Sequence, residues 1–192
     1  MILPIVAYGS SVLRKISSDI TADYSGLSSL VEDMWETMYR SNGVGIAAPQ
    51  VNRDIRLFVM DTEQVFANQE EDEKDIYPDG PGYKGVFINA HITALAGEKW
   101  VYEEGCLSIP RIRENISRHQ SVTLDFLDEN FKHQRRTFIG LTARVILHEY
   151  DHLEGKLFID HITPLKRTLL KRKLDDITKG RISIDYKMIF SK

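Results

Sequence analysis

The chain has 192 residues, a formal net charge of −3 and a hydrophobic fraction of 42%. This length suits one domain, so we expect a single domain over residues 1–192. The small net charge gives no general attraction to nucleic acid or to a membrane surface. Cys106 is the one cysteine, which excludes a disulfide within the chain and fits a reducing compartment. The chain has no stretch approaching about 20 apolar residues and no signal-peptide pattern, so we expect a cytoplasmic protein.

The first third of the chain predicts a helix, a loop and a strand. Apolar residues at helical spacing predict a helix over 25–40 with one buried face. The glycines and proline of SNGVGIAAPQ (41–50) favour a shaped loop. IRLFVM (55–60) is typical of a buried strand. Residues 61–84 are acidic and rich in turn formers, which predicts an exposed surface segment.

The rest of the chain mixes strands and helices. Apolar patterns predict strands at 85–92, 98–102, 122–126 and 135–139. Helices are predicted at 141–154 and from the cap Thr163 and Pro164 to about Lys179, followed by a strand that alternates from Ile182 to Phe190. Because no regular βαβ order occurs, the predicted class is α+β. Mixed or antiparallel strands would pack around the central helix 141–154, with an N-terminal helix and a C-terminal helix followed by a strand.

The strongest local signal lies on that central helix. It is the HExxH motif that runs from His148 through Glu149 to His152. Histidines four apart on a helix lie on one face, about 5–6 Å apart, so both rings can bind one metal ion. The glutamate between them can reach an ion-bound water. The plainer interpretation is a pair of ordinary histidines on an amphipathic helix.

A catalytic metal site usually has a third protein ligand. The HExxH proteases place it downstream, but here Phe158 occupies the tenth position after His148, and no glutamate occurs after position 154. Asp160 and His161 are two downstream residues that could supply a third ligand. Upstream, Cys106 in EEGCLSIP offers a thiolate, a strong ligand for zinc or ferrous iron. A lone cysteine is often a small buried hydrophobic residue, but beside HExxH we favour it as the third ligand.

Three segments together resemble a known family. GVGIAAPQ (43–50), EGCLSIP (104–110) and HEYDHLEG (148–155) are similar, in content and order, to the three signature motifs of peptide deformylases. The resemblance covers nearly the whole chain. It implies a metal-dependent hydrolase that removes the formyl group from the N-terminal formyl-methionine of newly synthesised polypeptides and releases formate.

The resemblance implies a role for each matching residue. It places the metal on Cys106, His148 and His152. Glu149 would act as general base and then general acid, with a metal-bound water as nucleophile. The Gln50 side chain and the Leu107 backbone N–H would stabilise the oxyanion. The family implies one divalent ion per chain, ferrous iron in the cell, for which zinc, nickel or cobalt can substitute.

The same resemblance suggests how the substrate is held. The Gly45 backbone would pair with the substrate peptide, and Glu104 occupies a motif position. Arg113 and Arg118 would support the groove and the motif loops, although without the resemblance both would be solvated surface charges. An apolar slot for the methionine side chain is expected, formed by residues that could equally be ordinary core: Ile46, Tyr102, Leu141, Arg144 and Val145.

The chain departs from the family pattern in three places. Leu147 stands where many members have glutamine, which we expect to alter packing behind the site and not the reaction. The acidic insertion 63–79 is longer than in compact members. The chain also continues beyond the third helix into a strand.

We expect the partner to be the nascent N-formyl-methionyl polypeptide, with no membrane partner and a monomeric enzyme. The third helix carries a cluster of cations: Lys166, Arg167, Lys171, Arg172 and Lys173. This cluster is either a solvated face or a contact with ribosomal RNA. Two rival functions remain, an endopeptidase that uses the same HExxH motif and a non-catalytic module with a structural metal.

Overall fold

The computed structural model describes residues 1–67 and 81–190. Within them, the strands are β1 (Ile5–Val6), β2 (Gly45–Ala47), β3 (Leu57–Asp61), β4 (Lys84–Cys106), β5 (Ile109–Leu127), β6 (His133–Ile139) and β7 (Met188–Ile189). The α-helices are α1 (Leu27–Arg40), α2 (Glu63–Ala67), α3 (Gly140–Leu153) and α4 (Pro164–Thr178). Short 3-10 helices occur at Ser11–Arg14, Ala48–Val51 and Phe158–His161. The predicted α+β class is confirmed.

A five-stranded antiparallel sheet runs in the order β2-β3-β4-β5-β6. The strands predicted at 85–92 and 98–102 are parts of the single long strand β4. Bulges interrupt the pairing of β4 with β5. Because bulges bend a strand and increase its twist, the two ends of β4 point in different directions. The first part of β4 also pairs with β3, and among the described strands the last part pairs with β5 alone. A two-residue turn, Leu107–Ser108, joins β4 to β5, because Cys106 pairs directly with Ile109.

The segment 41–50, predicted as a loop, contains β2 and the 3-10 helix that follows it. Gly45 pairs with Met60, and Ala47 pairs with Phe58. The prediction of a loop was wrong here because strand formation depends on a partner strand, which local composition does not reveal. As one of the two edge strands of the sheet, β2 has one edge turned away from β3.

Helix α3 is the central helix, as predicted. Its buried side chains lie on most of its circumference, which is typical of a helix enclosed by protein. Ala143, Ile146, Leu147 and Leu153 join the apolar side chains of the sheet in one core cluster. Leu147, the departure from the family pattern, is therefore a core residue directly before His148.

The helix ends and the last strand test the other predictions. Helix α1 begins at Leu27, slightly later than predicted. Thr163 caps α4 as expected, since its hydroxyl accepts the Lys166 backbone N–H at 3.4 Å. The last strand is much shorter than predicted, because only β7 pairs, in parallel with β1. Burial still alternates from residue 182 to residue 190, so the predicted pattern of inward-facing side chains is correct.

The acidic segment begins with α2, and residues 68–80 of the predicted surface excursion lie outside the described residues. No helix in the described part of the chain combines the length and the apolar character needed to cross a membrane.

Gly155 ends α3 in the left-handed region, at φ +67°, and packs against a neighbouring segment. A Cβ there would lie 2.7 Å from the Arg14 backbone C and O atoms. Gly26 has a similar φ of +76° but nothing within 4 Å of its Cβ position. We expect Gly155→Ala to lower the free energy of unfolding in urea by about 2–5 kcal/mol, and the matched Gly26→Ala by about 1 kcal/mol. Equal losses in the two variants would contradict this packing role.

Candidate functional site

The structure brings together the side chains that sequence analysis proposed as metal ligands. Cys106 lies at the end of β4, and α3 presents His148 and His152. The ligand atoms of these three residues lie within 4.8 Å of one another. The Cys106 Sγ atom is 3.3 Å from His152 Nε2. A thiolate and two imidazoles suit zinc or ferrous iron, and three protein ligands leave a coordination position for a reacting molecule.

The downstream alternatives lie in other contacts. His161 Nε2 is 2.7 Å from Asp151 Oδ2. Asp160 forms ion pairs with Arg14 and Arg167. Neither belongs to the group of converging ligand atoms, which favours Cys106 over both as the third ligand.

His148 is oriented by a buried carboxylate. The Glu104 Oε2 atom is 3.0 Å from His148 Nδ1, which leaves the other ring nitrogen for a metal. Arg118 donates two hydrogen bonds to Glu104, at 2.7 and 3.0 Å, and Arg144 donates one at 2.8 Å. Burial opposes ionisation of Glu104, but the hydrogen bonds from His148 and Arg118 hold its pKa far below the usual range. Glu104, which we predicted among the substrate-binding residues, has both carboxylate oxygens bonded to protein side chains.

His152 is almost fully buried, and burial together with the positive charge of His148 lowers its pKa to about 3. The His152 Nδ1 atom is buried and has no hydrogen-bond partner among the described residues.

Glu149 and Gln50 line the same cavity as Cys106 and His148. Glu149 is 4% exposed, and burial raises its pKa to about 7. Its Oε2 atom has no hydrogen-bond partner within the described ranges. The Gln50 amide oxygen accepts the Ala47 N–H at 2.8 Å, which directs Nε2 to Cys106 Sγ at 3.5 Å. Gln50 is thus a buried residue of the site and not a solvent-facing loop residue.

Gln50, Cys106, His148 and Glu149 line a cavity of about 610 Å³. Most of the predicted substrate-binding residues also line it: Gly45, Tyr102, Glu104, Arg113, Leu141, Arg144 and Val145. Ile46 does not. It is fully buried in another core cluster beside α1, because successive residues of a strand face opposite sides and Gly45 faces the cavity.

The arginines predicted near the substrate, Arg113, Arg118 and Arg144, differ in their surroundings. The Arg144 guanidinium is buried and lies 4.6 Å from the Trp100 ring centroid. It also donates to the backbone carbonyls of Ile116 and Trp100, so it supports the wall of the cavity. Arg113 is exposed and pairs with Glu103 at 2.7 Å. Arg118 is 6% exposed, which contradicts its assignment as a solvated charge.

Sequence analysis missed part of the lining. Residues 110–112 lie where the pairing of β4 and β5 is irregular, and Arg111 there has a φ of +60°. Ile184, Asp185 and Tyr186 line the cavity from the C-terminal side. The alternation along 182–190 indicated inward-facing side chains, but nothing in it indicated which surface they face.

Comparisons with known proteins agree with this geometry. A family model described as polypeptide deformylase matches residues 2–168. The chain is 49% identical over 191 residues to the peptide deformylase of Flavobacterium johnsoniae, covering 100% of this chain and 97% of that protein. It is 47% identical over 192 residues to that of Christiangramia forsetii, covering 99% and 96%. The crystal structure of a peptide deformylase from Legionella pneumophila superposes with a TM-score of 0.78 at 34% identity, covering 94% of this chain and 98% of that one. The chain therefore belongs to the peptide deformylase family.

Proposed function

We propose that this site removes the formyl group from the N-terminal methionine of nascent polypeptides, with Glu149 as general base and acid. As a member of its family, the chain is a peptide deformylase, a metal-dependent hydrolase. One observation carries the assignment of roles. Glu149, whose Oε2 atom has no partner among the described residues, lines one cavity with Gln50, Cys106 and His148, and the His152 ligand atom lies within 4.8 Å of those of Cys106 and His148.

Cys106, His148 and His152 would hold one divalent ion. We propose ferrous iron in the cell, because a thiolate with two imidazoles suits this ion as well as zinc. When bound, such an ion lowers the pKa of a water molecule from about 16 to near 7, which supplies a nucleophile at neutral pH. The buried bond between Glu104 and His148 supports the arrangement by fixing the orientation of the ring.

Protein side chains and one backbone N–H would supply proton transfer and stabilisation of the oxyanion. Glu149 takes the proton of the attacking water and delivers it to the nitrogen of the departing amine, so that formate and the free N-terminus are produced. Gln50 Nε2 and the Leu107 N–H would stabilise the negative oxygen of the tetrahedral intermediate. One such donor typically contributes about 2.7–4 kcal/mol to transition-state stabilisation. The pKa of Glu149, raised to about 7 by burial, suits a group that must both accept and donate a proton.

The substrate would enter as an extended peptide. Strand β2 is an edge strand of the sheet, and Gly45 lines the cavity, so the Gly45 backbone is placed to pair with a peptide in the manner of an added strand. Tyr102, Leu141 and Val145 would form the apolar slot for the methionine side chain. An open groove is needed because the remainder of the substrate varies in sequence.

We further propose that residues 1–192 form one catalytic domain that acts as a monomer in the cytoplasm. Met188 from the end of the chain packs against two of the core clusters, which joins the C-terminal strand to the body.

Glu149→Gln tests the central role. We expect formate release from a short formyl-methionyl peptide to fall about 10²- to 10⁴-fold, because the amide cannot accept the proton. Metal content should stay at the parent value. The control Glu98→Gln changes an exposed glutamate of β4 and should leave the rate unchanged. Near-parental turnover by Glu149→Gln would rule out Glu149 as the general base.

Gly45→Ala tests the space that Glu149 needs. A Cβ at Gly45 would lie 2.6 Å from Glu149 Oε1 and 2.8 Å from its Cγ, so the carboxylate must shift. We expect kcat to fall about 10-fold or more, because small displacements of a catalytic group cost large factors in rate. Thermal unfolding and metal content serve as controls. The idea is wrong if kcat stays at the parental value in a folded, metal-loaded variant.

We propose the ribosome as a further partner, through α4. Lys166 pairs with Glu114 and Arg167 with Asp160, whereas Lys171, Arg172 and Lys173 are exposed. Phosphates attract such a cluster, and the attraction weakens with salt.

Reversal of the last three charges to glutamate should weaken ribosome binding and flatten its salt dependence. A matched triple reversal at the exposed Lys99, Lys132 and Arg135 changes the net charge equally and should bind more tightly than the α4 variant. Both should hydrolyse a short formyl peptide at the parental rate. Equal ribosome affinities for the two triple variants, measured by sedimentation, would refute a specific role for α4.

A further inference from the structure

The C-terminal segment, residues 181–190, is fixed to the body of the protein. Strand β7 within it pairs with β1, where the Ile5 N–H donates to the Lys187 carbonyl at 2.9 Å and the Ala7 N–H donates to the Ile189 carbonyl at 2.8 Å. Ile182 and Phe190 pack into the core cluster beside α4. Because both ends are held, the residues between them have a defined place.

Those central residues lie at the cavity. Ile184, Asp185 and Tyr186 line it together with the Glu149 and His148 side chains. The half-buried Tyr186 hydroxyl donates a hydrogen bond of 2.7 Å to the Leu107 backbone carbonyl. Burial raises the pKa of Tyr186, so the hydroxyl stays protonated and can donate. The segment thus forms part of the cavity wall and also contacts the turn that carries Leu107.

That turn is held at both of its carbonyls. Tyr186 binds the carbonyl of Leu107, and the Tyr8 backbone N–H donates to the carbonyl of Ser108 at 2.8 Å. The two donors come from chain segments that flank the β1–β7 pair. The Leu107 side chain packs against Gly43, where an added Cβ would lie 3.0 Å from its Cδ1 atom. A two-residue turn has few internal bonds, so these external contacts determine how its peptide groups are oriented.

We propose that Tyr186 is a positioning residue for catalysis, whose hydroxyl holds the Leu107–Ser108 turn so that the Leu107 N–H points at the oxyanion. The carbonyl and the N–H of Leu107 belong to adjacent peptide planes joined at its Cα, and we expect a shift of the turn backbone that frees the carbonyl to displace the N–H as well. A donor to an oxyanion acts only when it is held within about 0.5 Å of its working position. The proposal rests on the proposed role of Leu107. Tyr186 lies beyond residues 2–168, which the family model matches.

Tyr186→Phe removes the hydroxyl and keeps the ring in its place. In the metal-loaded, full-length protein we expect kcat for formate release to fall about 10- to 100-fold with KM nearly unchanged, because the lost interaction acts in the transition state. Metal content should equal that of the parent. Hydrogen exchange at the Leu107 amide, followed by NMR, should become faster. The matched control Tyr83→Phe removes another half-buried hydroxyl, away from the cavity, and should leave kcat and this exchange rate unchanged.

Two results would overturn the proposal. One is a Tyr186→Phe variant that loses thermal stability while kcat and the Leu107 exchange rate stay parental, which would make the hydroxyl purely structural. The other is a rise in KM at constant kcat, which would make the segment a substrate-binding wall only. A failure of the proposed function would look different, because the parent enzyme itself would then release no formate. Even with an inactive parent, the hydrogen-exchange measurement tests the positioning role, and equal Leu107 exchange rates in the parent and in Tyr186→Phe would overturn it.

Discussion

The site depends on one buried charge, the carboxylate of Glu104. A buried carboxylate costs several kcal/mol unless it is paired and fully hydrogen-bonded, and here Arg118, Arg144 and His148 satisfy it. Glu104 belongs to β4, Arg118 to β5 and the other two partners to α3. Any shift of one element against the others would leave a charge unpaired in the interior. The same bonds that determine how the helix sits on the hairpin therefore also orient the ring of His148.

The hairpin of β4 and β5 extends this constraint to the reacting groups. Its end carries Cys106 next to Leu107, so the proposed metal ligand and the proposed oxyanion donor are adjacent residues at the tip of the hairpin. Arg144 connects the two strands by donating to the carbonyls of Trp100 and Ile116. The C-terminal segment meets the turn through Tyr186. The catalytic groups thus occupy the junction of helix, hairpin and tail.

The spacing of apolar residues correctly predicted the helices that bury one face against the sheet or the core. Apolar spacing located α1, α3 and α4 to within a few residues, and Thr163 with Pro164 marked the start of α4. The same patterns gave wrong strand boundaries where a strand depends on hydrogen bonding to a neighbouring strand. Strand β2 was predicted as a loop, and β4 was predicted as two strands because the residues between them, 93–97, are exposed and give no alternating apolar pattern. Ile46 was placed in the cavity, although the pleat of β2 turns it into the core.

The sequence by itself determined the HExxH helix, the chemistry of its two histidines and, through the resemblance of three motifs, the family. Helical spacing is a local property, so the sequence alone shows that residues four apart on a helix lie next to each other. Only the tertiary structure decided which distant groups complete the site. Glu104 meets His148 across 44 residues, and Tyr186 meets Leu107 across 79. Such contacts leave no period in the sequence, because their separation reflects the path of the chain between elements and not the geometry of any one element.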